Sequence, residues 1–233
     1  MLSNMLRAAA GNREPAIPAV IQSGLSLYLD ADVSSSYPGT GTTWTDLSGN
    51  SRNGTLINGP TFNSGAIVFD GTNDYVQCSG SLVTSAATFI TWLKRNGTQA
   101  SYDGIFFSRG TNTTGVNIGP ASNSIGYTWN DAGNTYDWSS GLIIPNATWC
   151  MVALTVTSTS AIAYLCQSSG ITTSTNNVSH ASTNLNDIKI ASDPCCGGRF
   201  FNGSISVALL YNRELSASEI TTTFNLFKNR YGL

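Results

Sequence analysis

Cys150-Met-Val-Ala-Leu-Thr-Val156 decides how this chain is read. Cys150, Val152, Leu154 and Val156 fall on alternate positions, the period of a strand that shows one face to a core. The same alternation recurs at Leu25, Leu27 and Leu29, in Ile90-Thr-Trp92-Leu-Lys94, and at Ile205, Val207, Leu209 and Tyr211. Shorter segments of the same kind lie at 67–69, 105–107, 116–118, 125–129, 162–166 and 188–190. Ten or more strands, with no linker wide enough to divide them, predict one antiparallel two-sheet sandwich over residues 24–233. Composition agrees: 102 of the 233 residues are Ser, Thr, Asn or Gly, yet 41% are hydrophobic and 10% aromatic. That mixture suits short strands joined by polar turns, not helix bundles or doubly wound folds.

The two ends differ from the middle. Leu2, Met5, Leu6 and Ala9 make one apolar stripe on a short helix, which Gly11 stops before Pro15 and Pro18 extend the chain. A helix this short needs a surface, so residues 1–23 read as an arm, either folded back or anchoring the domain to a partner. At the other end Ser216 and Glu219 form the capping-box pattern, and Leu215 and Ile220 a hydrophobic staple. A helix over 216–230 follows, burying Ile220, Phe224 and Phe227.

Several functions are disfavoured. The net charge is −2 with no basic cluster, which leaves no electrostatic footprint for nucleic acid. No apolar run reaches the roughly 18 residues of a membrane-spanning helix, and the first ten residues do not read as a secretion signal. Paired-carboxylate glycoside hydrolysis needs two acidic groups set about 5 Å apart in retaining enzymes. The three glutamates are Glu14, Glu214 and Glu219, none in a strand with an acidic partner two residues away, and Asp30/Asp32 is the one Asp pair at that spacing. With His180 the sole histidine, and no Gly-x-Ser-x-Gly elbow, nucleophilic catalysis lacks its parts as well. The expectation is a protein that is not an enzyme.

Two kinds of binding site remain open. Asp46 and Asn50 in one loop, and Asp70 and Asp74 in another, offer the hard oxygens of a structural Ca²⁺ site. The same residues favour such turns by bonding their own backbone. Trp129, Asp131, Tyr136 and Trp138 offer rings and polar groups for a sugar, against a core-packing alternative for the alternating aromatics. The five cysteines read as buried reduced thiols, with a Cys150–Cys166 bridge as the alternative. Cys195-Cys196-Gly-Gly198 reads as a tight turn, with a vicinal disulfide less favoured.

Five motifs together resemble concanavalin A-like lectin/glucanase domains of the laminin-G-like kind: Trp44-Thr-Asp46-Leu-Ser-Gly-Asn50 with Asn53-Gly-Thr-Leu56, Val68-Phe-Asp70-Gly-Thr-Asn-Asp74-Tyr-Val76, Trp149-Cys-Met-Val-Ala-Leu154, Phe201-Asn-Gly203-Ser-Ile205, and Leu210-Tyr-Asn-Arg213-Glu-Leu-Ser-Ala-Ser-Glu219-Ile. The resemblance spans about residues 24–230 and implies an all-β jelly-roll sandwich of two antiparallel sheets, without implying one activity. Tyr127-Thr-Trp129-Asn-Asp131 and Tyr136-Asp-Trp138-Ser-Ser-Gly-Leu142-Ile-Ile-Pro145 are most similar to versions in virion proteins of tailed bacteriophages. That resemblance implies a capsid decoration or fibre component, made in the host cytoplasm and present in several copies. It would attach to other virion proteins through residues 1–23 and display a lectin-like domain, with host-surface glycan as a further partner. A carbohydrate-binding adhesin is the alternative.

Overall fold

The computed structural model describes residues 17–233, so the stripe of Leu2, Met5, Leu6 and Ala9 lies outside the described residues. Among the described residues the strands run β1 (Leu25–Asp30), β2 (Thr43–Trp44), β3 (Gly54–Ile57), β4 (Thr61–Asn63), β5 (Ala66–Asp70), β6 (Tyr75–Cys78), β7 (Leu82–Thr84), β8 (Ala87–Arg95) and β9 (Gly104–Arg109). They continue with β10 (Thr113–Ile118), β11 (Ile125–Trp129), β12 (Cys150–Val156), β13 (Ala161–Gln167), β14 (Gly170–Asn176), β15 (Thr183–Leu185), β16 (Ile188–Ile190) and β17 (Asn202–Tyr211). A one-turn helix α1 (Gly133–Tyr136) follows β11, and α2 (Ala217–Phe227) closes the chain with a 3-10 turn over Lys228–Tyr231.

The strands pair antiparallel into two large sheets. One has the order β14-β13-β12-β8-β17-β5-β4, with β1 sharing the edge of β17 beside β5; the other runs β11-β10-β9-β16-β6-β3-β2. Hairpins such as β12-β13-β14 and β9-β10-β11 are joined by long-range pairings, β12 with β8, β8 with β17 and β9 with β16, as in a jelly-roll sandwich, and β15 with β7 forms a small ribbon beside them.

Period 2 is obeyed in β12, whereas a bulge between Ile205 and Val207 shifts β17, and both faces of the eight-stranded sheet bury apolar groups. Cys150, Val152, Leu154 and Val156 point into the core between the sheets, with Leu27, Leu29, Phe89 and Leu93. Met151 and Ala153 point outward into a second cluster with Tyr28, Trp92, Tyr164, Leu209 and Tyr211. Helix α2 supplies the cover, burying Ile220, Phe224 and Phe227 on that outer face. Each such side chain removed from water contributes about 1.5–3 kcal/mol. Trp92 stacks on Phe224 at 5.5 Å and on Tyr231 at 4.4 Å.

The capping box is formed: the Ser216 side chain accepts from the Glu219 backbone N–H, and Glu219 accepts from the Ser216 N–H at 2.8 Å. Arg213 grips the same carboxylate at 2.6 Å and holds it down at about 2. The Arg230 guanidinium then ties the end of the chain to the fully buried Asp30 at 2.7 Å. Residues 17–23 are less separate from the domain than an arm ending at 23 suggests, because Val20 is buried in the outer cluster.

The cysteines depart from expectation. Cys150 faces the core and Cys166 the outer cluster, on opposite sides of one sheet, so the Cys150–Cys166 bridge is geometrically barred and both are free thiols with Cys78. Burial pushes the Cys78 and Cys166 thiols up to about 12. Cys195 and Cys196, by contrast, are joined as a vicinal disulfide.

Candidate functional site

On the seven-stranded sheet, Leu56, Val76, Ile188, Ile190, Val116, Tyr127 and Trp129 face the core. The residues between them, including Gln77, Lys189, Phe107, Asn117 and Thr128, therefore face outward. The outer row ends in a cleft of about 320 Å³ lined by Tyr102, Arg109, Thr128, Asp131, Tyr136, Cys195 and Arg199. Arg109 comes from the end of β9, Thr128 from β11, Asp131 and Tyr136 from the turn and short helix after β11, and Cys195 and Arg199 from the segment that follows β16.

Asp193 organises the floor. Its carboxylate is fully buried and accepts from Arg109 Nε at 2.7 Å, Arg109 Nη2 at 3.1 Å and Arg199 Nη1 at 2.9 Å. Arg109 also donates Nη1 to Thr113 Oγ1 at 3.5 Å, and each arginine side chain is about a quarter exposed at the cleft. Arg109 lies over the ring of Phe107, an outward-facing side chain that it helps to bury, and Arg199 lies 4.8 Å over the ring of Tyr102. Asp193 reaches this place because Gly104 has no side chain: a Cβ there would stand 2.0 Å from the Asp193 backbone nitrogen. Beside it Asp103 is buried, accepts from the Ala100 N–H at 2.7 Å, and is pushed up to about 6 by that burial.

Of the four residues expected to contact sugar, the structure brings Asp131 and Tyr136 to the cleft. Trp129 does not reach it; the ring is 1% exposed on the inner face and its Nε1 donates to the Ala181 carbonyl at 2.7 Å. Trp138 packs its edge on Tyr127 at 5.6 Å and is half-buried against the core. Beneath this turn Tyr127 OH meets His180 Nε2 at 3.0 Å and accepts from Asn176 Nδ2 at 2.9 Å. Burial holds the His180 imidazole below its usual range. Sequence reasoning missed Tyr102, Arg109, Thr128 and Arg199, which come from four separate segments with no shared motif.

The expected calcium ligands divide between two turns at opposite ends of β6, since Gly54 pairs with Cys78 and Ile57 with Tyr75. Asp46 Oδ1 accepts from the Tyr28 and Ser48 N–H groups, each at 2.9 Å, and its Oδ2 from Ser48 Oγ and the Arg52 N–H. Asn50 donates its amide to the Leu25 carbonyl. Asp70 accepts from the Thr72 N–H at 2.7 Å, and Asp74 from the Asp70 N–H at 3.2 Å. These oxygens fix their own loops, and among the described residues no group of three or more His, Cys, Asp or Glu side chains gathers at a metal-binding spacing.

A two-sheet sandwich with a polar cleft on one outer face has the architecture of a lectin-like domain. Residues 70–221, more than half the chain, match the family described as the concanavalin A-like lectin/glucanases superfamily, and the chain belongs to it. No curated protein matches the sequence. Among solved structures it is similar to domain 4 of AbnA, a GH43 extracellular arabinanase from Geobacillus stearothermophilus, in complex with arabinotriose. That likeness has a TM-score of 0.67 and 15% identity, covering 86% of this chain and 98% of that one. A Trypanosoma rangeli sialidase mutant displaying trans-sialidase activity matches with a TM-score of 0.64 and 16% identity over 94% of this chain. The chain spans only 36% of that sialidase. The binding domain of botulinum neurotoxin serotype D matches with a TM-score of 0.60 and 13% identity, over 88% of this chain and 51% of that one. At these identities the likeness concerns the fold.

Proposed function

We propose that this chain is a non-catalytic carbohydrate-binding module whose site is the cleft between Tyr102, Arg109, Asp131, Tyr136 and Arg199. The observation that carries the reading is the cleft's chemistry: tyrosine rings for the apolar face of a pyranose or furanose, beside guanidinium, carboxylate and hydroxyl groups for its hydroxyls. The likeness to an arabinanase domain in complex with arabinotriose supports it. Among the described residues Asp131 is the one carboxylate lining the cleft, and Asp193 beneath it is buried and bonded to two guanidiniums, which supports binding over paired-carboxylate catalysis. A glycan array probed with the full chain, with and without EDTA, tests the reading. The expected result is a defined set of oligosaccharides, bound equally in EDTA and lost in Tyr136→Ala and Arg199→Ala. Silence across the array, or binding that survives both substitutions, overturns it.

The similarity of 127–145 to virion proteins of tailed bacteriophages favours one setting for this module. It is a multi-copy capsid decoration or fibre component, made in the host cytoplasm, joined to other virion proteins through residues 1–23 and presenting the cleft to host-surface glycan. Quantitative mass spectrometry of purified particles tests this setting. Recovery in fixed ratio to the major capsid protein, lost when residues 1–23 are deleted, supports it; absence from particles refutes it.

A further inference from the structure

We propose that the Cys195–Cys196 disulfide is a thiol-redox site that assembles the cleft when oxidised and loosens it when reduced; only the identity of the ligand rests on the glycan reading above. Cys195 is half-buried and lines the cleft, whereas Cys196 is exposed, so the bond is both part of the wall and open to an attacking thiolate. The other three cysteines are buried and far too basic to compete.

The disulfide sits in the segment between Asp193 and Arg199, which supplies Cys195 and Arg199 to the cleft. Asp193 and Arg199 bound this segment, held by the Asp193 N–H to Arg199 carbonyl bond at 3.0 Å, the Gly104 N–H to Arg199 carbonyl bond at 3.2 Å and the ion pair between their side chains at 2.9 Å. Between them lie Pro194, Cys195, Cys196, Gly197 and Gly198. Cys196 has φ +60° and Gly197 φ +78°, a conformation that a non-glycine residue adopts at a cost. The two glycines give the turn between those anchors wide freedom, and the covalent ring through Cys195 and Cys196 restricts it further. Once the bond is broken, Cys195 keeps its N–H bond to the Asp193 carbonyl at 2.7 Å and Arg199 its bonds to Asp193 and Gly104, while the Cys196–Gly198 turn between these anchors is free to open.

Reduction by a dithiol is balanced as follows. A thiolate attacks the exposed Cys196 sulfur, the Cys195–Cys196 bond breaks and a mixed disulfide forms. The second thiol of the reductant displaces Cys196, leaving a cyclic disulfide and two protonated cysteines. A reducing compartment keeps such a site open, and an oxidising one closes it.

The test uses the full chain, oxidised or treated with dithiothreitol, and a Cys195→Ser/Cys196→Ser variant that cannot close the bond. Native alkylation followed by mass spectrometry should find no reactive thiol before reduction and two after it. In NMR spectra, the Nε–H signal of Arg109 and the Nη1–H signals of Arg199 should be sharp and slow to exchange when oxidised, and broadened or exchanging at least tenfold faster when reduced or in the variant. The core methyl signals should stay unchanged. Arabinotriose affinity should fall at least fivefold in step. Two alkylated thiols in the untreated, air-equilibrated protein overturn the proposal, as do guanidinium signals that ignore reduction. If arabinotriose and the array glycans bind neither form, the glycan reading fails while the arginine signals still decide the redox one.

Discussion

Asp193→Ala removes the acceptor on which the cleft floor depends, and the size of its effect follows from the geometry. Three charge-assisted hydrogen bonds of 2.7, 3.1 and 2.9 Å end on one fully buried carboxylate. Charge-assisted bonds contribute about 1.5–3 kcal/mol each, and cutting one partner from a buried pair costs about 3–5 kcal/mol. Here the two arginines are a quarter exposed, so the freed guanidiniums rehydrate in part and the loss falls at the low end, about 2–4 kcal/mol. With a urea m-value of about 3 kcal/mol/M for a chain of this size, the unfolding midpoint drops by about 1 M. The order within the cluster is equally specific. Arg109→Ala breaks two of the bonds and Arg199→Ala one, so the costs should rank Asp193→Ala, then Arg109→Ala, then Arg199→Ala. Adding Arg199→Ala to Asp193→Ala should cost nearly nothing more, because the pair is already broken. An Asp193→Ala midpoint within 0.2 M of wild type, or additive losses in the double variant, refutes Asp193 as the organiser of the floor.

Asp103 is raised to about 6 by burial, so its contribution favours the fold below about pH 4 and is lost as pH rises through 6. Asp103→Asn keeps the acceptor for Ala100 and should gain about 1–2 kcal/mol at pH 7 but nothing at pH 3.5; equal effects at both pH values sink the assignment. His180 works in the opposite sense: burial lowers its pKa, so its contribution is complete above about pH 6.5 and fades as pH falls. In urea titrations between pH 6.5 and 5, His180→Phe should remove that part of the slope, at most about 1.4 kcal/mol per pH unit; an unchanged slope contradicts the buried neutral imidazole. Phe224→Ala should cost about 3–4 kcal/mol by opening a cavity against Trp92, read as a red shift of tryptophan emission together with a lower unfolding midpoint. A loss below 1 kcal/mol would mean that α2 is not integral to the sandwich.

Much of the fold is legible in the sequence because it rests on local periodicity. The alternation in β12 and the capping box at Ser216 are properties of neighbouring residues, and the structure repeats them; in β17 a bulge between Ile205 and Val207 breaks the expected alternation, leaving Ile205 in the inner core and Val207, Leu209 and Tyr211 in the outer cluster. What alternation could not show is that β12 is buried on both faces, since that depends on α2 folding back over Met151 and Ala153. The cleft was legible only where it is local: Asp131 and Tyr136 sit in one turn, whereas Arg109, Arg199 and Tyr102 converge through Asp193, whose role no spacing announces. Trp129 was ambiguous for a related reason. An aromatic at an alternating position is equally compatible with either face, and the register of β11 against β10 puts Trp129 inside and Thr128 outside.

The unequal faces of the two sheets explain why the cleft lies where it does. A sandwich strand normally spends one face on the core and leaves the other to water. In the eight-stranded sheet that second face is filled by α2, Val20 and the aromatic stack on Trp92, which leaves β12 buried on both faces. Among the described residues no helix covers the seven-stranded sheet, and its outward row carries Gln77, Lys189, Asn117 and Thr128, the last three buried. Polar groups fixed on a pleated surface are preorganised, because the strand backbone and not the ligand has already met the cost of ordering them. The 193–199 segment then turns an open face into a cleft by folding over the end of β9, where Gly104 admits it and Asp193 anchors it. Bulk at residue 104 therefore acts on the cleft from behind. Gly104→Ala, with its Cβ 2.0 Å from the Asp193 nitrogen, should displace the whole 193–199 segment and lower ligand affinity while the tryptophan stack under α2 keeps its emission. A Gly104→Ala protein that binds like wild type would show that the segment is not seated by this close approach, and the cleft's shape would then need another cause.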